Sequence, residues 1–307
     1  MARLNQNVYR RARGVGTLEV PRRLRQLLPV VAFFAIAFTV DMITGQSYSS
    51  AWGSAAIVAS VIHLVPAIRP ALVALGGYAA IWVTFNLGRA FAEDIGLAIA
   101  EPETIDGWER AMFGGKLPSA SMQARWFDAA QGGMHDVLLS LVHASFFIMP
   151  FLMAGMLWWK RRRHFRDYAG ATAATFALGL LGFVFLPTAP PWMSDPGEVT
   201  RVTHHVLEQS AGFSLGGASG GDAFWFEPND LAALPSVHVA ATVLVFLAAR
   251  RLGTLAGWLG GLYALLMTLA VVYLGEHFVI DALLGWGMAL VGWHLSRAGM
   301  GFFARIR

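Results

Sequence analysis

Gly275-Glu-His-Phe-Val-Ile-Asp281 runs directly into Ala282-Leu-Leu-Gly-Trp-Gly-Met-Ala-Leu-Val-Gly-Trp293, an apolar stretch with ionisable side chains only at its start. A second stretch is built the same way: Leu234-Pro-Ser-Val-His238 leads into Val239-Ala-Ala-Thr-Val-Leu-Val-Phe-Leu-Ala-Ala249. Placing an ionisable side chain at membrane depth costs roughly 2.5–3.5 kcal/mol, so such groups mark working sites rather than filler. His238, His277 and Asp281 are therefore read as the chemistry of a membrane-embedded enzyme, and the apolar runs beside them as bilayer-crossing helices.

Composition agrees. Of the 307 residues, 56% are hydrophobic and 14% charged, and mean hydropathy is +0.53, outside the range of an ordinary soluble domain. There is no cysteine, which excludes disulfides, thiolate metal sites and cysteine nucleophiles. The pI of 9.8 does not point to nucleic acid, because the basic residues are distributed by topology.

Apolar runs fall near residues 27–41, 52–66, 70–89, 136–158, 168–186, 237–252, 255–274 and 278–297. A span takes about 20 apolar residues. The fold expected is an all-α polytopic membrane bundle of six core spans with two further amino-terminal spans, the first two runs being short. Residues 1–26 form a basic cytoplasmic segment and 27–307 a single transmembrane catalytic domain. The Arg-rich start is read as an uncleaved anchor, since no small-x-small cleavage site follows it.

In an eight-span arrangement, 18 of the 23 basic residues fall on one side. They include Lys160-Arg-Arg-Arg-His-Phe-Arg166 and Arg250-Arg251. Only Arg89, Arg110, Lys116, Arg125 and Arg201 fall on the other. The positive-inside rule then puts both termini in the cytoplasm and the active site outside; the membrane expected is a bacterial plasma membrane. Two long segments, 90–135 and 187–235, lie on the outer side. In the first, Trp108 and Met112 share a helix face, which predicts one or two interfacial helices. The second opens with Pro187-Thr-Ala-Pro-Pro-Trp192, where the prolines stop the preceding helix. Its glycine run 212–221 reads as a loop, with only a weak phosphate-cradle signal.

Ser236 is a natural N-cap for the helix carrying His238, and a helix N-terminus suits a phosphate oxygen. Asp281 lies one turn beyond His277 on the same face. It can hold one imidazole nitrogen and leave the other to attack. His63 and His143 are read as structural, Glu276 as solvated, and Trp192 and Trp225 as interface anchors. Arg89 either snorkels or clamps phosphate.

At these residues the chain resembles the type 2 phosphatidic acid phosphatase superfamily, and within it the inositol phosphorylceramide synthase-like branch. The resemblance rests on three ordered motifs, Pro187-Thr-Ala-Pro-Pro191, Leu234-Pro-Ser-Val-His238 and Gly275-Glu-His-Phe-Val-Ile-Asp281, within residues 70–297. It implies His277 as nucleophile forming a phosphohistidine, Asp281 as its orienter, His238 as the acid for the leaving alcohol, and no metal or other cofactor. The superfamily's Lys-x6-Arg-Pro element is absent, and its Ser-Arg before the nucleophile is Ala270-Val271. The phosphate must then be met elsewhere, and Arg89, Arg201, Ser236, Pro190, Pro191 and Trp192 are the expected substrate-binding residues. A phosphodiester suits this lower charge better than a dianionic monoester.

The expected function is cleavage of a lipid phosphoester at the outer face, with the phospho-headgroup passing to an alcohol or the phosphoryl group to water. The partners are the lipid substrate, its acceptor and the surrounding membrane lipids, with no nucleic acid. Two other readings of the same residues stay open: a metal-dependent hydrolase holding zinc on two histidines and a carboxylate, and a transporter using them as a relay.

Overall fold

The computed structural model describes residues 69–99, 105–129, 132–211, 229 and 231–306. The basic segment 1–26, the runs 27–41 and 52–66 with His63, the glycine run 212–221 and Trp225 lie outside them. The chain divides into two compact units, residues 1–72 and 73–307, and the second carries the candidate site.

Among the described residues the protein is helical, with a lone bridge between Thr188 and Ala232 as its only extended pairing. The helices are α1 (Arg69–Ile99), α2 (Asp106–Met112), α3 (Pro118–Trp126), α4 (Met134–Ala144), α5 (Met149–Lys160) and α6 (Arg162–Phe185). They continue with α7 (Pro191–Ser194), α8 (Val202–Ala211), α9 (Val237–Ala249), α10 (Thr254–Tyr273) and α11 (Val279–Ile306). Four of them, α1, α6, α10 and α11, are long and apolar enough to cross a membrane.

Two expected spans differ from the sequence reading. The run 136–158 is not one helix: α4 and α5 meet at 50° across a short 3-10 turn, Ser145–Phe147. Pro150 explains the break, since it has no N–H for the ladder and its ring crowds the preceding turn. Counted as one bent span, the pair brings the total to five. The run 237–252 gives only the 13 residues of α9, about 20 Å at 1.5 Å per residue against a hydrocarbon core of about 30 Å. Pro235 and the Ser236 cap start it late, and Arg250-Arg251 close it early. It serves as a central post instead: every residue of α9 except His238 and Phe246 is buried, packed against α5, α6, α10 and α11.

The remaining core follows from spacing. Tyr78, Trp82 and Phe85 lie at intervals of four and three, so they share one face of α1. That face meets Phe146 and Phe151 from the bent pair, and Phe176 from α6, with ring centroids 4.2–5.4 Å apart. Gly285 lets α11 approach the start of α9, because a Cβ there would fall 2.5 Å from the Ser236 carbonyl. This close crossing sets the two histidine-bearing segments side by side.

Candidate active site

Backbone hydrogen bonds tie three chain segments into one cradle. The exit loop after α6 pairs with the approach to α9: Thr188 N–H donates to Leu231, and Ala233 N–H donates to Thr188. The same loop binds the turn before α11, with Trp192 N–H donating to the Gly275 carbonyl at 3.2 Å. Ser236 N–H reaches the Asp281 carbonyl at 3.0 Å. Gly275 has φ +80, and a Cβ there would sit 2.9 Å from both Thr200 O and Val199 Cγ1. Only glycine adopts that conformation cheaply, so the turn presenting His277 depends on it.

His277 is held at both nitrogens. Nδ1 lies 2.9 Å from the Ala233 carbonyl and 3.4 Å from Asp281 Oδ2. A carbonyl can only accept, so Nδ1 carries the proton and Nε2 has the lone pair; the tautomer is assigned from these partners. Nε2 in turn lies 3.3 Å from His238 Nδ1, which then donates. Asp281 is fully buried, and its Oδ2 also accepts the Phe278 N–H at 2.9 Å. The sequence reading assigned the orienting role to Asp281 alone, whereas a backbone carbonyl shares it here at shorter range.

The His238 ring packs on the other side against α4 and the 3-10 turn, with centroids 4.6 Å from His143 and 4.3 Å from Phe146. His143, expected to be structural, is thus in ring contact with a site histidine. Nothing in one sequence relates residue 143 to residue 238; only the bend at Pro150 does.

The other expected site residues fall in different places. Ser236 is buried and caps α9, its hydroxyl accepting the Val239 N–H at 3.3 Å. Pro190 and Pro191 are buried at the start of α7; without N–H groups they shape the loop but offer no donor to a phosphate. Arg201 bonds Glu276 in two places, Nε to Oε1 at 3.0 Å and Nη2 to Oε2 at 3.1 Å. Its guanidinium also lies 4.6 Å from the Trp192 ring centre. Glu276 is therefore not solvated, as expected from sequence, but buried in an ion pair beside His277. Trp192 is half-buried under Arg201 rather than standing as an exposed interface anchor. The Arg89 backbone carbonyl accepts from Asn229 at 3.0 Å, and the charges of Arg89 and Arg201 both act on His238.

Two further residues escaped the sequence reading. Gln123 of α3 staples the cradle from outside, donating to Thr200 and Tyr273 carbonyls and accepting from Thr200 N–H at 2.7–2.9 Å. Glu109 of α2 is fully buried, with Oε2 3.2 Å from the Ile280 N–H in the first turn of α11. Burial pushes its carboxyl up to about 7; the Ile280 N–H pulls it down and the Asp281 charge pushes it further up.

Chemically, this is a linear array. Asp281 faces Nδ1 of His277 and His238 faces Nε2, so these two groups lie on opposite edges of the His277 ring and do not converge on one point. No cluster of three metal-ligating side chains occurs among the described residues. An oriented imidazole whose other nitrogen meets a second imidazole suits nucleophilic attack with acid–base help.

The fold and site define a helical membrane protein whose buried His277 and Asp281 meet the half-buried His238 on motif-bearing turns. Residues 103–295 match the PAP2 superfamily, and the chain belongs to that family of lipid phosphatase and phosphotransferase enzymes. Over 189 residues it is 24% identical to phosphoinositol dihydroceramide synthase of Bacteroides thetaiotaomicron. The match covers 57% of this chain and 60% of that relative, so the chain spans about three-fifths of the relative's length. No solved structure matches.

Proposed function

We propose that this protein transfers a phospho-headgroup, phosphoinositol in the first instance, from a glycerolipid to a ceramide-type lipid alcohol at the outer membrane face. In the first step His277 Nε2 attacks phosphorus, the bond from phosphorus to the diacylglycerol oxygen breaks, and His238 gives that oxygen its proton. In the second step the acceptor hydroxyl loses its proton to His238 and attacks phosphorus. The phosphorus–nitrogen bond breaks and His277 is restored. Asp281 and the Ala233 carbonyl hold the Nδ1 proton throughout and favour the charge that the ring takes on.

The observation that carries this reading is the holding of His277: Nδ1 is fixed by two acceptors, while Nε2 meets only the second histidine. The matching of Arg201 by Glu276 supports a phosphodiester. A dianionic monoester wants several unmatched cations, and one negative charge needs fewer. The name of the Bacteroides relative, a phosphoinositol dihydroceramide synthase, points the same way.

The test uses purified protein in mixed micelles with phosphatidylinositol labelled at phosphorus, with and without ceramide. Transfer predicts acceptor-linked label that rises with ceramide, and an acid-labile, base-stable phosphoenzyme on rapid quenching. His277→Ala should abolish both. Label released only as water-soluble inositol phosphate, whatever acceptor is present, would establish a hydrolase instead.

A further inference from the structure

We propose that Glu109 is a positioning residue for the nucleophile, gripping the first turn of α11 from the outer helix α2 and supplying negative charge behind Asp281 and His277. This rests on the transfer reading above. The argument starts from how α11 begins. The residue preceding it, Phe278, has no side-chain oxygen to act as a cap. Asp281 takes the Phe278 N–H, and Glu109 takes the Ile280 N–H from 171 residues away in the chain.

A neutral side chain could make that hydrogen bond. Instead the chain buries a carboxyl on the N–H of Ile280, the residue beside the buried Asp281, and the two charges act on each other. Like charges out of water oppose each other's ionisation, so the arrangement is costly as mere capping. Its second oxygen, Oε1, is buried and accepts no hydrogen bond among the described residues, so the carboxyl is not consumed by packing. Negative charge here has a use when positive charge develops beyond Asp281: the His277 ring, 3.4 Å from Asp281 Oδ2, gains such charge as Nε2 attacks phosphorus.

The surroundings keep this effect local. The charged groups on its own helix, Asp106 and Arg110, form an outer cluster with Asp195 and Glu198 of the exit loop. Glu276 is matched by Arg201. Asp281 is the titratable group whose charge acts on Glu109 from the α11 side. The Glu109 carboxyl, held near 7, changes charge within the working pH range.

The experiment compares wild type with Glu109→Gln, which keeps an oxygen for Ile280 but no charge, measuring kcat, KM and phosphoenzyme formation from labelled phosphatidylinositol between pH 6 and 8.5. At pH 8 the wild type should exceed the variant in kcat by about tenfold, the equivalent of roughly one pK unit of lost stabilisation, with KM unchanged. At pH 6, where Glu109 is protonated, the ratio should fall towards one. Dividing the two profiles removes titrations common to both proteins. A ratio that is constant with pH would reduce Glu109 to a structural cap and overturn the proposal. So would a wild-type profile with no ionisation near 7, which needs no variant at all. If wild type forms product without ever taking label, the phosphohistidine reading falls on its own, and the pH dependence of the kcat ratio still decides Glu109.

Discussion

Replacing Asp281 by Asn should slow phosphoenzyme formation by about fifty-fold, far less than the ~10⁴ loss met when an aspartate is the sole orienter of a catalytic histidine. The substitution is conservative here because an Asn oxygen can still accept the Phe278 N–H that Asp281 Oδ2 takes at 2.9 Å. Tautomer control also survives, since the Ala233 carbonyl holds His277 Nδ1 at 2.9 Å, closer than the carboxylate at 3.4 Å. What disappears is charge. Unit charges 3.4 Å apart interact by about 5 kcal/mol at an effective dielectric of about 20. If roughly half a charge has developed on the ring at the transition state, about 2.4 kcal/mol is lost, or about fifty-fold at 1.36 kcal/mol per decade. The assay is single-turnover labelling with rapid quenching, which isolates the first chemical step from product release. A loss of 10⁴ or more would mean that Ala233 does not hold the tautomer. A loss under about threefold would remove the electrostatic role of Asp281.

Arg201→Ala should destabilise the protein by about 3 kcal/mol, because breaking one side of a buried pair strands the other charge. The double variant with Glu276→Ala should lose clearly less than the sum of the single losses in thermal melts, and additive losses would deny the coupling. Gly275→Ala should cost about 1–3 kcal/mol, from its positive φ and the close approach of Thr200 and Val199; an unchanged melting temperature would show that the turn relaxes freely. Single cysteines can be added cleanly to a chain that has none. One at Trp108 should react with an impermeant reagent on intact cells and one at Arg163 only after lysis, and the reverse pattern would invert the topology.

The motif residues were legible because they break a rule: ionisable groups do not sit beside long apolar runs without reason. The spacing of His277 and Asp281 was read as one helical turn; the two do meet at 3.4 Å, but His277 lies before α11, so the turn at Gly275 and not helix periodicity presents it. The shapes of the fourth and sixth runs were not legible, since hydropathy averages across a proline break and cannot tell a lipid-facing span from a buried post such as α9. Glu276 was misjudged for a related reason. Its partner Arg201 is 75 residues away, and charge beside charge in a loop looks solvated until the loops are brought together. Glu109 lies in the outer segment 90–135, and nothing in the sequence sets it apart there. In α2 Glu109 is buried while its neighbours Trp108 and Met112 are 76% and 59% exposed, and seven residues are too few for a burial pattern to stand out.

The 3.3 Å contact between His238 and His277 has a consequence for selectivity. In the resting protein the lone pair proposed to attack phosphorus is already engaged, so a small electrophile meets a masked nitrogen. On the proposed mechanism, catalysis has to begin by parting the two rings, and only a ligand that binds well elsewhere can supply the energy for that. Lipid tails and headgroup contacts would thus act as the key, while water-soluble phosphoesters with no tail would find the site shut. The same masking predicts that an imidazole-modifying reagent such as diethyl pyrocarbonate attacks His277 slowly in the empty protein. A non-reactive lipid analogue that wedges the rings apart without covering Nε2 should hasten that modification instead of protecting against it.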